Sequence, residues 1–196
     1  MMTSRYWMKA ANVASIYAAQ AHLGQTRKDG VTPYIVHPAR VAGLVAQFGG
    51  GPTTVIAAWF HDVVEDCQGN PEEDHVIPAL KQMEIGPGSY AWIEILDNIR
   101  FMTKDATLHK KEREADFLSR LEQASAEQGL LKVCDRIDNL LDAPNCQNVS
   151  KTWAAEYFAE SEMLLQALPA CVQVKYPQAI ALLLDVILSQ GENNGL

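Results

Sequence analysis

Apolar side chains recur at i, i+3, i+4 and i+7 along most of this chain, and no convincing run alternates apolar with polar residues. A helical turn takes about 3.6 residues, so that spacing lays the apolar groups on one side of a helix. Trp7, Ala10, Ala11, Ala14, Ala18 and Ala21 trace the first face. Val41, Leu44, Val45 and Phe48 trace a second, stopped by Gly49-Gly50-Gly51. Ile56, Trp59, Phe60 and Val63 trace a third, and the spacing carries it on through His61-Asp62. Further faces follow: Trp92, Ile95, Leu96 and Ile99, then Leu130, Val133, Cys134, Ile137 and Leu141. Two more helices are expected over about 151–168 and 177–189. The segment around TPYIV is bracketed by Pro33 and Pro38 and reads as a loop. Residues 67–73 and 103–111 read as irregular surface. The pattern predicts an all-α bundle.

No Pro-, Gly- or Ser-rich linker and no internal repeat divides the 196 residues. The expectation is one domain over 1–190, with a flexible tail at 191–196. No apolar stretch reaches the length of a membrane span, and the first twenty residues show no apolar run with a cleavage site, so no secretory leader is expected. The four cysteines form no C-x-x-C pair, which argues against a structural zinc site and fits a reduced, cytoplasmic setting. The formal net charge of -8 excludes an open basic surface for nucleic acid.

The chemistry concentrates in a few His and Asp residues. His37 opens the second helix, His61 and Asp62 are adjacent on the third, and Asp135 sits in CDRIDNL. Two imidazoles and two carboxylates suit a borderline divalent ion such as Mn²⁺, Fe²⁺ or Zn²⁺. Glu65 and Asp66 each stand four residues after a candidate ligand, on the same helical face. Carboxylates there can orient an attacking water or take its proton. Asn139 has the same relation to Asp135 and can fix a ligand or a substrate sugar. Setting four such polar groups against Trp59, Val63 and Val64 needs something to offset their desolvation, and a metal does so. His22, His75 and His109 carry no such pattern and read as ordinary structural or surface residues.

Four strings carry a resemblance: AHLGQTRKDGVTPYIVHPARVAGLVAQFGG, AAWFHDVVED, MTKD with its following basic run, and LLKVCDRIDNLLD. Together they resemble HD-type metal-dependent phosphohydrolases, and among them the (p)ppGpp hydrolase domain of the RelA/SpoT family in its stand-alone form. The resemblance implies an HD-domain helical bundle with His37, His61, Asp62 and Asp135 as Mn²⁺ ligands. It implies that Glu65 and Asp66 position or activate the water. Arg27, Lys28 and Asn139 then lie near the nucleotide. By looser alignment Lys110, Lys111 and Arg113 face the pyrophosphate, and Tyr157 lies near the substrate.

The implied activity is hydrolysis of the 3′-pyrophosphate of ppGpp or pppGpp, by a hydrolase without a synthetase domain. The alternative keeps the site and changes the nucleotide to NADPH at its 2′-phosphate, a deoxynucleotide or an adenosine alarmone. The chain departs from the family between residues 67 and 110: Cys67 stands where Thr is usual, and FMTK replaces the usual G-V-T-K. Expected partners are a small nucleotide, with no nucleic acid and no membrane; the oligomeric state stays open, a homodimer among the options.

From Asp62 to Asp74 there are six acidic residues and no Lys or Arg. Three of them belong to the metal and water set, so part of the net acidity serves a cation that in turn receives phosphate. A small polyphosphorylated ligand meets that local field rather than the net charge.

Overall fold

The computed structural model describes residues 3–143 and 151–194, which contain helices and no β-strand. The chain divides into two compact units, one formed by 1–25 and 33–104, the other by 26–32 and 105–196.

In the first unit, α1 (Ser4–Ala21) begins at Thr3, whose side chain accepts from the Tyr6 amide. That bond satisfies one of the amides that a helix start leaves without an intrahelical partner. α2 covers Val36–Gln47 and α3 covers Pro52–Phe60, with Pro52 in the first turn, where its missing N–H costs nothing. A short α4 (Val63–Asp66) follows, then a wide π turn (Glu72–Val76) running into α5 (Ile77–Gln82). α6 (Tyr90–Met102) starts at Ser89, whose hydroxyl accepts from the Trp92 amide. α3 is the hub, packing on α1, α2 and α6. Ala10, Ala14 and Ala18 of α1 and Ala57 and Ala58 of α3 are buried, and such small side chains let helices approach closely.

One expected helix is two. The periodicity runs α3 through His61 and Asp62, but the helix stops at Phe60 and restarts at Val63. His61 Nδ1 lies 2.7 Å from the Ala58 carbonyl. That carbonyl is the acceptor an unbroken helix would offer to the Asp62 amide, so the side chain competes with the backbone at the break.

In the second unit, α7 (Lys110–Leu121) and α8 (Ala126–Asp142) are followed by α9 (Lys151–Ala167), α10 (Ala170–Lys175) and α11 (Pro177–Asn194). The irregular segment expected at 103–111 therefore gives way to helix at Lys110, and the tail expected at 191–196 is helical through Asn194. α8 opens on a capping box in which Ser125 and Gln128 bond each other's amides. It packs on α10 and α11. A Cβ at Gly129 would stand 2.3 Å from a Val172 methyl, so only glycine permits that approach of α10.

α8 also differs from the one-sided helix its apolar spacing predicts. Leu141, assigned to the buried face, is half exposed, while every residue from Gly129 to Asp138 is buried. Lys132, Asp135, Arg136 and Asp138 are thus charged groups inside the unit, and each needs a partner. Among the described residues no helix is long and apolar enough to cross a membrane.

Candidate active site

The break between α3 and α4 places His61 and Asp62 opposite His37, at the start of α2. His37 Nε2 and His61 Nε2 are 3.1 Å apart. Asp62 approaches both, with Oδ1 3.2 Å from His61 Nε2 and Oδ2 3.3 Å from His37 Nε2. Both imidazole side chains are almost wholly buried, and the Asp62 side chain is one-fifth exposed. A carbonyl oxygen can only accept, so His61 Nδ1 carries the hydrogen in its bond to Ala58. Its Nε2 therefore presents a lone pair toward the other two side chains. Two imidazole nitrogens and a carboxylate converging at this spacing form a donor set that fits a divalent cation.

Glu65 and Asp66 lie one turn on. The Asp66 amide bonds the Asp62 carbonyl at 2.9 Å, so the two carboxylates sit one above the other. Both residues are exposed, yet neighbouring protein shields the carboxyl groups and raises both above their usual values, with the charge of Asp62 adding to the effect. Glu65 Oε2 accepts from the Lys104 amide at 3.1 Å, so the MTKD string pins this carboxylate through its backbone.

Two side chains that the sequence did not single out join the cluster. The Tyr34 hydroxyl stands 2.7 Å from Asp62 Oδ2 and 2.8 Å from Asp66 Oδ2. His22, read from sequence as an ordinary histidine, is 3% exposed and stacks on the Tyr34 ring. Burial pushes its pKa down, outweighing the Gln25 hydrogen bond and the charges of Asp62 and Asp66. Tyr34 lies inside the PYIVHP string, but only the fold shows which way its hydroxyl points.

The second unit organises Asp135. Asn139 Nδ2 donates to its Oδ1 at 2.6 Å, and Lys132 Nζ donates to its Oδ2 at 2.8 Å. Each carboxylate oxygen is therefore held by one neighbour on the same helix. The Lys132 ammonium, which is buried, also lies 4.8 Å from the centre of the Phe117 ring. Arg27 donates from Nη2 to Asn139 Oδ1 at 2.7 Å and from Nε to Asp142 Oδ2 at 2.9 Å. Its guanidinium thus fastens the 26–32 loop to α8 and extends the chain of bonds to Asp135.

Lys28 Nζ lies 5.9 Å from the centre of the Tyr157 ring, and the Arg136 guanidinium lies 4.2 Å from it. Arg136 was not anticipated; it is buried and also donates to Ser161 Oγ at 3.3 Å. Lys110, exposed at the start of α7, comes no closer than 3.9 Å to Glu156 and Glu160. Lys111 is exposed, and Arg113 is half-buried with no hydrogen-bond partner for Nε among the described residues. Lys110, Lys111 and Arg113 thus lie at a helix start with mixed charge around it.

The loop that carries Arg27 is closed by its own residues. The Arg27 amide bonds the Thr32 carbonyl at 2.8 Å, and Gly30 takes φ 74°, which a side chain would strain. Asp29 accepts from the Thr32 hydroxyl and from the Val31 and Thr32 amides, which lowers its carboxyl below the usual value. A lowered carboxylate stabilises the loop above its unfolded-state pKa and loses that effect as pH falls through the folded value. The Val31 and Thr32 amide resonances are therefore expected to titrate below the normal Asp range, and Asp29→Asn is expected to remove that titration.

Residues 14–159 match the HD domain family. The guanosine-3′,5′-bis(diphosphate) 3′-pyrophosphohydrolase MESH1 of Xenopus tropicalis is 31% identical over 166 residues, covering 82% of this chain and 83% of that protein. The bifunctional (p)ppGpp synthase/hydrolase SpoT of Escherichia coli is 30% identical over 136 residues, 68% of this chain but 18% of that protein. Among solved structures, a metazoan ortholog of SpoT that hydrolyzes ppGpp superposes with a TM-score of 0.74 at 21% identity, covering 97% of this chain and 98% of that chain.

Proposed function

We propose that this chain, which belongs to the HD-domain family, hydrolyses the 3′-pyrophosphate of guanosine alarmones to give GDP or GTP and pyrophosphate. The observation that carries the reading is the convergence of His37, His61 and Asp62 beside the Glu65-Asp66 pair. The relatives named for this activity supply the substrate class. The match over 14–159 draws on residues of both units, which supports treating 1–190 as one HD-type domain.

His37, His61 and Asp62 would hold a divalent ion, for which Mn²⁺ is our assignment; Asp135 is assigned as the fourth ligand on the sequence resemblance. Such an ion supplies Lewis-acid charge that makes water a better nucleophile and offsets phosphate charge. Glu65 and Asp66 orient the attacking water and accept its proton. The water oxygen bonds to the phosphorus attached to the ribose 3′ oxygen. The bond between that phosphorus and the 3′ oxygen breaks, the 3′ oxygen takes up the proton released by the water to become a hydroxyl, and pyrophosphate leaves. Lys28, Lys110, Lys111 and Arg113 offset the phosphate charge, Tyr157 lies beside the nucleotide, and Arg27 and Asn139 order its binding loop. A cytoplasmic setting is supported by the free thiols of Cys67, Cys134 and Cys171.

The chain's departures between residues 67 and 110 favour one further reading, another nucleotide at the same centre. Cys67, in the place of the usual Thr, turns its thiol to the Ala21 carbonyl at 3.4 Å and sits directly after Asp66. A panel with Mn²⁺ decides between the two. The proposal expects pyrophosphate from ppGpp; inorganic phosphate from NADPH, with ppGpp untouched, replaces it by the second reading.

A further inference from the structure

The Tyr34 hydroxyl has one proton and two carboxylates within hydrogen-bond reach, Asp62 at 2.7 Å and Asp66 at 2.8 Å. Two like charges drawn to one point repel each other, so the contact persists only where the group between them is held firmly. The structure supplies that hold. His22 stacks on the Tyr34 ring at 4.7 Å between centroids and 25° between planes. The His37 ring meets Tyr34 edge-on, at 6.0 Å and 82°. Gln25 ties the assembly together: its Oε1 meets His22 Nδ1 at 2.8 Å, and its carbonyl accepts from the Tyr34 amide at 3.0 Å. Its Nε2 donates to the Asp66 carbonyl at 3.2 Å. Backbone, ring and hydroxyl of Tyr34 are thus each fixed by a different partner.

We propose that Tyr34 is a positioning residue, whose hydroxyl, braced by the His22 ring, sets the Asp62 carboxylate for the cation and the Asp66 carboxylate for the attacking water. The proposal deepens the functional reading above and rests on it. The role assigned to Tyr34 runs through the two carboxylates its hydroxyl meets. Without the hydroxyl, Asp62 and Asp66 lose their shared donor and separate, and both tasks suffer together.

The test is Tyr34→Phe, which keeps the ring and its stacking and removes only the oxygen. Mn²⁺ binding is measured by calorimetry without nucleotide, and ppGpp hydrolysis is measured at saturating Mn²⁺. Loss of a bond that orients a metal ligand typically weakens metal binding by about 10- to 100-fold, and that is the expected shift. At saturating metal, kcat is expected to fall about tenfold or more while KM stays within about threefold, the pattern of a lost transition-state arrangement. A role limited to packing would lower the melting temperature and leave Mn²⁺ affinity and kcat at wild-type values, and that result overturns the proposal. His22→Ala tests the brace: a smaller shift in the same direction supports it, and unchanged Mn²⁺ affinity overturns that half. Calorimetry separates the two readings. If the wild type binds Mn²⁺ but leaves ppGpp intact, the substrate assignment fails while the Tyr34 comparison still stands or falls on affinity. If the wild type takes up no Mn²⁺, both are withdrawn.

Discussion

His61→Ala is expected to bind no divalent metal and to lose hydrolysis to background. The His61 imidazole is almost wholly buried, its Nδ1 is committed to the Ala58 carbonyl, and its Nε2 points at His37 and Asp62. No other side chain of α3 or α4 presents an imidazole there. Metal charge at a reacting phosphate contributes several kcal/mol, so its loss corresponds to at least about a thousandfold in rate. Two measurements check this. Metal content of the purified variant is expected to fall from one ion per chain to none. Mn²⁺ is expected to raise the melting temperature of the wild type, because a ligand bound only by the folded state stabilises it, and to leave that of the variant unchanged. A variant that retained both metal and turnover would remove His61 from the ligand set.

Glu65→Gln and Asp66→Asn are expected to separate chemistry from metal binding. Neither carboxylate is assigned as a ligand. Each substitution keeps shape and removes the charge that accepts the proton. Loss of a positioned general base typically costs about 10²- to 10⁴-fold, and kcat is expected to fall within that range. In Glu65→Gln the metal content is expected to stay at the wild-type level. The two variants are not equivalent. Asp66 shares the Tyr34 hydroxyl with Asp62, so Asp66→Asn also disturbs a neighbour's placement. Glu65 is held instead by the Lys104 amide, so Glu65→Gln is the cleaner removal of a base. Steady-state kinetics beside metal analysis of the same preparations reads both effects. If both variants kept full kcat, the proton would go elsewhere.

The legible part of this protein was its periodicity and its short strings of polar residues. Apolar spacing located α1, α2, α6 and α8 closely, because an amphipathic helix writes its buried face directly into the residue order. It failed where a side chain competes with the backbone. Nothing in the spacing of Ile56, Phe60 and Val63 reveals that the His61 ring takes the Ala58 carbonyl and ends the helix. It failed again on α8, where Lys132, Asp135, Arg136 and Asp138 sit inside. Polarity alone assigns such residues to water, and only their partners make burial tolerable.

His22 and Tyr34 show the same division at the site. Their types are ordinary, and no spacing rule connects residues 22 and 34 with Asp62 and Asp66. Packing of α1, α2 and α4 within one unit makes them neighbours, and a ring stack with a shared hydroxyl follows. The sequence by itself determined that the chain is helical and which His, Asp and Glu residues stand at the spacing proposed for the site, because local periodicity and residue chemistry are properties of the residue order. Only the tertiary structure decided which lone pairs meet, which charges are buried, and which tyrosine stands between the two carboxylates. Those facts depend on distances between segments remote in sequence.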